Sequence, residues 1–332
     1  MKTVILAVNS KYVHTLLAPR YLKANCIGQD VSIYETNVNA RLNDVISDIY
    51  LLSPDVIAIS MYIFNISFVR SFLSEIRLVL PKVKIILGGW EAAFDTEGYL
   101  DVADYIIKGE GDLAFSGLLT DIENGACKER IVDCGTVCDL DKIVSPYDDE
   151  YAALGKDKIL YIETTRGCPF SCGYCMSGRV GGVRSFSLPR VFEDIKRITK
   201  YSPGLVKFVD RTFNYDKKRA TLIFEHLIDN YSGTNTCFHF EMAPELFDEP
   251  MLECLSRARK GLFQFEIGVQ SYNPITLKAV NRPADLKIID ENLKKIIALK
   301  NINVHVDLIS GLPFEDMKSF KSGFNRLISL SP

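Results

Sequence analysis

No apolar run in this 332-residue sequence approaches the ~18 residues of a membrane-spanning helix, so none is expected to cross a bilayer. The opening MKTVILAVNSKYVH has too short an apolar core, between polar flanks, for an export signal, and reads as a first strand. A reducing, cytoplasmic setting is therefore expected, in which the nine cysteines are thiols or metal ligands rather than a disulfide framework. A basic surplus is also missing, since 39 Lys and Arg face 42 Asp and Glu. Electrostatics thus gives no ground for a nucleic-acid or membrane partner. No G-x-G-x-x-G follows the first strand, which argues against a dinucleotide, and Asn9 and Ser10 stand where a receiver domain would carry paired acids. The most informative shortage lies in ETTRGCPFSCGYCMSG. There Cys168, Cys172 and Cys175 lack a nearby fourth ligand, the next cysteine downstream being Cys237 and the nearest histidine His226.

What is present suffices for about two domains with their own cores. In the first part, β-branched runs (TVILAV, VSIYETNV, DVIAISMYIF, VKIILGG, ADYIIKG) alternate with amphipathic stretches such as LNDVISDIYLLS and ISFVRSFLSEIRLVL. That alternation predicts an α/β fold with a doubly wound parallel sheet over residues 1–126. Ligands of such sheets sit beyond the carboxyl ends of the strands. The residues clustering there are Asn9, Ser10, Lys11, Tyr12 and His14, then Ser60 and Tyr62, then Gly88, Gly89, Trp90 and Glu91, and finally Gly109 and Glu110. Paired glycines let a bulky flat ligand approach the backbone, or simply make a tight strand-to-helix turn. Residues 127–157 lose periodicity and read as a linker. Its Cys127, Cys134 and Cys138 read as reduced thiols, because no further ligand follows closely enough for an auxiliary cluster.

From residue 158 to 332 the pattern is again repeated β/α. KILYIETTRGC reads as a strand delivering Cys168, and LVKFVDRTFN, CFHFEMAPEL, FQFEIGVQS and VHVDLISGLP read as four more. Asp210, Glu241, Gln270 and Asp307 fall at strand ends, on the face where a barrel keeps its active site. A zinc knuckle would need a fourth ligand to close its tetrahedron. Three thiolates instead suit three corners of an iron–sulfur cubane, with the remaining iron open to a ligand.

C-x-x-x-C-x-φ-C with an aromatic φ, here Tyr174, resembles the motif of the radical S-adenosylmethionine enzymes. The resemblance implies a [4Fe–4S] cluster on Cys168, Cys172 and Cys175 whose open iron chelates S-adenosylmethionine and drives its cleavage to a 5′-deoxyadenosyl radical. EIGVQSYNPITLKAVNR and VDLISGLP resemble the segments around the cofactor's ribose in the coproporphyrinogen-dehydrogenase branch, so Glu241, Gln270 and Asp307 are implied ribose contacts. Arg282 is implied to hold the methionyl carboxylate. FVDRTFN replaces the usual G-G-E, which leaves Asp210 and Thr212 as weaker carry-overs toward the methionine amine. LAVNSKYVHTLLAPRYL, ISMYIFNI and GGWEAAFDTEGYLDVADYIIKGEGD resemble the cobalamin-binding domain that precedes many such enzymes. Tyr12 and Leu17 replace the Asp and Gly of D-x-H-x-x-G, so cobalamin without coordination by His14 is expected.

Together these resemblances imply a Rossmann-like cobalamin domain followed by a partial (β/α)6 barrel, with the chain ending after its fifth strand as a truncated or shortened member would. They imply a cobalamin-dependent methyltransferase acting on an unactivated carbon of a small molecule or peptide, with flavodoxin or ferredoxin as reductant. A radical rearrangement or cyclisation enzyme and a non-catalytic cobalamin carrier or sensor are the alternatives. A methylthiotransferase should offer three cysteines in its leading domain, where only Cys26 stands.

Overall fold

Apolar runs alternating with amphipathic segments assemble as their periods dictate. The computed structural model describes residues 1–179, 182–282 and 284–331. The chain divides into two units, Met1–Tyr151 and Ala152–Pro332. In the first, β1 (Thr3–Asn9), β2 (Val31–Asn37), β3 (Val56–Ser60), β4 (Lys84–Gly88), β5 (Tyr105–Lys108) and β6 (Ile131–Asp133) pair in parallel in the order β2-β1-β3-β4-β5-β6. The connecting helices are α1 (Leu17–Asn25), α2 (Leu42–Leu52), α3 (Ile66–Val79), α4 (Gly89–Phe94) and α5 (Phe115–Glu123).

β1 and β3 are buried along their whole length, which requires apolar residues on both faces. Val4, Leu6 and Val8 pack with Val69, Phe72 and Ile76 of α3. Ile5, Ala58 and Ile107 pack with Phe115 and Leu119 of α5 in a separate cluster. Since all strands run one way, the loops after β1, β3, β4 and β5 leave from a single edge. The winding reverses between β1 and β3, the place where such sheets hold ligands. Buried Asn65 ties that edge together: its Nδ2 donates to the carbonyls of Val8 at 3.2 Å and Ser60 at 3.1 Å, and its Oδ1 accepts from the Tyr62 amide at 2.8 Å.

Residues 127–157, aperiodic in sequence, are not slack. Three residues are too few to show a period, yet Ile131–Asp133 add the outermost strand of the sheet. Tyr147 and Tyr151 are fully buried; the Tyr151 hydroxyl lies 3.0 Å from Thr15 Oγ1, and the Arg20 guanidinium sits 4.5 Å over its ring. A short helix, α6 (Asp149–Ala153), spans the division.

In the second unit, β7 (Leu160–Ile162) is followed by an antiparallel pair, β8 (Thr165–Gly167) and β9 (Val183–Ser185). Next come α7 (Leu188–Ile198), β10 (Leu205–Phe208), α8 (Lys217–Tyr231), β11 (Cys237–Met242), α9 (Glu249–Ser256) and β12 (Phe263–Gln270). The unit ends with α10 (Pro274–Ala279), α11 (Leu286–Ala298), β13 (Asn303–Leu308) and α12 (Met317–Ile328). The five main strands pair in parallel in the order β13-β12-β11-β10-β7, the open arc of a partial barrel. Phenylalanines join sheet to helix, with the ring of Phe240 4.3 Å from Phe208, 4.5 Å from Phe213 and 5.1 Å from Phe224. No helix among the described residues is long and apolar enough to cross a membrane.

Asn65→Ala strands two buried carbonyls and an amide, each a costly loss. The first unit is expected to lose about 2 kcal/mol or more. Trp90, the only tryptophan, belongs to this unit, so its fluorescence during urea unfolding reads the change as a lower midpoint. An unchanged midpoint would remove Asn65 from this role.

Candidate functional site

The strand read through KILYIETTRGC breaks at residues 163–164, and its second piece leaves the main sheet to pair with β9. The cause is Asp210, just beyond β10. Its carboxylate accepts from the Thr164 amide at 3.0 Å, the Thr164 hydroxyl at 2.5 Å and the Thr165 hydroxyl at 2.7 Å. The Thr164 amide therefore bonds to a side chain and not to the main sheet, while its carbonyl accepts from the Phe186 amide beside β9 at 3.1 Å, and the chain turns away carrying Cys168. Asp210 is buried, which pushes its carboxyl pKa up, while the two threonines and Arg219 oppose the rise. It stands behind the site rather than in it.

The cysteine loop is held from the far side by the turn after α10. The Gly173 amide donates to the Val280 carbonyl at 2.8 Å, and Asn281 Nδ2 donates to the Ser171 carbonyl at 3.2 Å and to the Ser171 hydroxyl. The Arg282 guanidinium lies 4.9 Å from the centre of the Phe170 ring. Asn281 adopts a φ of +52°, a conformation asparagine tolerates better than most residues.

Beside this loop opens a cavity of about 330 Å³ whose lining includes Cys168, Cys172, Tyr174 and Cys175 together with Thr212, Glu241, Gln270, Arg282 and Asp307. The size suits a small molecule. Of the residues singled out for S-adenosylmethionine, only Asp210 is not in this wall. Arg211 and Glu266, which sequence reasoning missed, are in it. Thr212 Oγ1 lies 3.5 Å from Cys168 Sγ. Gln270 sits at a bulge in β12 with a φ of +71°, and a Cβ on Gly268 would come 2.1 Å from the Gln270 side-chain nitrogen. Only glycine at 268 lets that amide fold over the strand. Buried Arg282 donates through Nη2 to the Gly268 carbonyl at 3.1 Å and lies 3.3 Å from Glu245 Oε1.

The wall is acidic. Burial pushes Glu241 up to about 7; Arg211, 3.7 Å away, opposes the rise, and Glu266 and Asp210 add to it. Burial and neighbouring Glu266 likewise raise Asp307. Burial and the adjacent Cys172 hold the Tyr174 phenol above its ordinary range. A cation entering the cavity would relieve this crowding of negative charge.

In the first unit, parallel winding brings Asn9, Ser10, Lys11, Tyr12, His14, Ser60, Tyr62, Gly88, Gly89, Trp90, Glu91, Gly109 and Glu110 to the carboxyl edge of the sheet. Asn9 is buried there and donates to Glu35 at 3.1 Å, while its own Oδ1 has no hydrogen-bond partner. Tyr12, Ile63 and Phe64 are exposed in the loops of this edge, and Trp90 and Phe94 are exposed on α4, which follows β4. The glycines serve the turn itself. A Cβ on Gly89 (φ +86°) would lie 2.5 Å from the Met61 carbonyl oxygen, and one on Gly109 (φ +82°) 2.3 Å from that of Gly135.

The family model for the radical SAM superfamily matches residues 162–326, and that for the B12 binding domain matches residues 3–119. The chain belongs to the radical S-adenosylmethionine enzymes that carry a B12-binding domain. An uncharacterized methyltransferase of Pyrococcus horikoshii is 24% identical over 72% of this chain and 57% of its own length. The cobalamin-dependent radical SAM methyltransferase TokK of Streptomyces tokunonensis is 22% identical over 84% of this chain and 45% of its own. The chain thus spans about half the length of these relatives. The solved radical SAM methyltransferase TsrM of Kitasatospora setae, with tryptophan and a SAM analogue bound, shares the fold. Its TM-score is 0.77 at 16% identity, over all of this chain and 72% of that one.

The domains imply a [4Fe–4S] cluster, S-adenosylmethionine and cobalamin as cofactors, and the side chains fit. Among the described residues no three His, Cys, Asp or Glu groups gather tightly enough for a single metal ion. Thiols spread around one cavity suit the separate irons of a cubane. The acids of the same lining suit a sulfonium and hydroxyls, and the exposed aromatic edge of the first unit suits a broad, largely apolar ring.

Two outcomes test this geometry. Asn281→Ala should leave folding intact but speed the chelator-driven bleaching of the reconstituted cluster several-fold; bleaching at the wild-type rate would separate the turn from cluster retention. Because the Glu241 pKa is raised to about 7, its carboxyl gains charge as pH rises through that value. Affinity for cationic S-adenosylmethionine should therefore climb between about pH 6 and 8 in equilibrium dialysis, and Glu241→Gln should flatten the climb.

Proposed function

We propose that this chain is a cobalamin-dependent radical S-adenosylmethionine methyltransferase acting on an unactivated carbon of a small molecule or peptide, with flavodoxin or ferredoxin as reductant. The observation that carries the reading is one cavity lined by three thiols together with acids, an amide and an arginine, in a chain that also carries a B12-binding domain. Residues 1–126 are read as the cobalamin domain, 127–157 as the link and 158–332 as the radical domain.

When bound, the cluster and S-adenosylmethionine supply an electron and a cleavable carbon–sulfur bond that yields a 5′-deoxyadenosyl radical, and cobalamin supplies the methyl group. Cys168, Cys172 and Cys175 would hold the cluster through their thiolates, with S-adenosylmethionine bound beside it in the same cavity. Arg282 anchors the carboxylate, Glu241, Gln270 and Asp307 hold the ribose hydroxyls, and Tyr174 and Thr212 border the cluster side. Asp210 supports them by fixing the start of the cysteine loop. In the first unit, the loops carrying Asn9 to His14, Ser60 to Tyr62, Gly88 to Glu91 and Gly109–Glu110 cradle cobalamin.

Anaerobic protein reconstituted with iron, sulfide and cobalamin, then given dithionite and S-adenosylmethionine, should form 5′-deoxyadenosine and S-adenosylhomocysteine; Cys172→Ala should form neither. The first product without the second would point to rearrangement or cyclisation. Iron-replete wild-type protein that makes no 5′-deoxyadenosine would overturn the enzymatic reading.

A further inference from the structure

Glu266 reaches the cavity from the middle of β12. Along β12, Phe263, Phe265, Ile267 and Val269 are buried and alternate with the partly exposed Gln264, Glu266, Gly268 and Gln270, so Glu266 lies on the strand face opposite the phenylalanine core. The parallel register sets it opposite Glu241 on β11 and His305 on β13, and sets Gly268 opposite Asp307. Two residues deeper on β11 than Glu241, on the same face, is His239, 4% exposed, with Nε2 3.1 Å from Glu266 Oε2 and with Nδ1 buried and, among the described residues, unpartnered. The hydrogen bond therefore selects the tautomer that carries its proton on Nε2 and donates to the carboxylate.

The remaining charges give this bond a purpose. Glu266 stands with Glu241 and Asp307 in one wall, and carboxylates so crowded tend to share a proton or turn apart. A donor from below, His239 Nε2 at 3.1 Å, holds the Glu266 carboxylate in place. Burial, helped by the charge of Lys207 opposite it on β10 and by His305 on β13, pushes the His239 pKa down to about 4, so it is a neutral donor. Arg211 is near Glu241 at the rim, and Asp210 lies behind it.

We propose that Glu266 is a third acidic contact for S-adenosylmethionine and that His239 is its positioning residue. The inference rests on the reading of the cavity as the site of that cofactor. An isolated buried histidine would only need a partner; a histidine that fixes a cavity-lining acid also sets the cavity's affinity for a cation.

The test measures S-adenosylmethionine binding by equilibrium dialysis to reconstituted wild-type protein and to Glu266→Gln, His239→Leu and His239→Gln. Cluster iron and the visible spectrum are recorded for each. Glu266→Gln and His239→Leu should lose about tenfold in affinity, the scale of one hydrogen bond to a charged group, with iron and spectrum unchanged. His239→Gln, whose amide can still donate, should recover most of the loss. Wild-type affinity in His239→Leu, no recovery in His239→Gln, or iron lost in parallel with affinity would each overturn the proposal. Wild-type protein that binds no S-adenosylmethionine would instead sink the reading of the cavity beneath it.

Discussion

The carboxylate of Asp210 is the joint on which the second unit depends. It accepts from the Thr164 amide and hydroxyl and from the Thr165 hydroxyl, and Arg219 braces the same corner by donating to the Thr164 carbonyl at 3.2 Å. Without those acceptors the chain would have no reason to leave the sheet after Ile162, and the cysteines would run on beside β10. Burying an acid is unfavourable unless its oxygens are satisfied, and here they meet three donors. The cysteine loop that results is then gripped from the opposite side by Val280, Asn281 and Arg282. Its shape is fixed by protein contacts on both flanks before any iron enters.

A second constraint shapes the cavity. Parallel strands usually have apolar residues on both faces because helices cover both. β11 and β12 break that habit: His239, Glu241, Glu266 and Gln270 alternate with buried Phe238, Phe240, Phe265 and Val269. One face of the arc packs on helices through phenylalanine, while the other carries the polar groups, with His239 buried and Glu241, Glu266 and Gln270 lining the cavity. An arc of five strands cannot fill its interior with interlocking side chains as a closed barrel does, so the interior can be polar.

This contrast explains what the residues alone disclosed. The strand–helix alternation was legible because apolar runs of strand length bounded by turns leave few other options, and the thiolate spacing was legible because so few clusters accept three ligands. Strand ends pointed to Glu241, Gln270 and Asp307, which line the cavity with the cysteines, and to Asp210, which does not; Thr212 came from the resemblance alone. The pattern F-H-F-E and F-Q-F-E-I-G-V-Q also announced a polar strand face, and it could have pointed to His239 and Glu266. Strand ends alone do not disclose it, because both residues stand in the middle of their strands. Asn65, Asn281 and the break at Thr164 were not legible. Each acts by hydrogen bonding to backbone distant in sequence, and no periodicity reports that. β6 was hidden by its length; the turn at Gly89 was one of two readings of its glycine pair, and only its close approach to Met61, distant in sequence, was out of sight.

Arg282 shows how the two constraints meet. It belongs to the turn that grips the cysteine loop, through its stacking on Phe170, and it also lines the cavity. These duties do not compete. Both polar contacts to protein use Nη2, toward the Gly268 carbonyl and Glu245, while Nε is buried without a hydrogen-bond partner. A guanidinium carries five N–H donors in a fixed plane, so a carboxylate can be received without releasing either protein contact. Lysine could offer charge but neither the plane that stacks on Phe170 nor donors on separate nitrogens. The same side chain can therefore steady the loop that carries the thiols and present a fork to what binds beside them, which couples the shape of the cluster loop to the occupancy of the cavity.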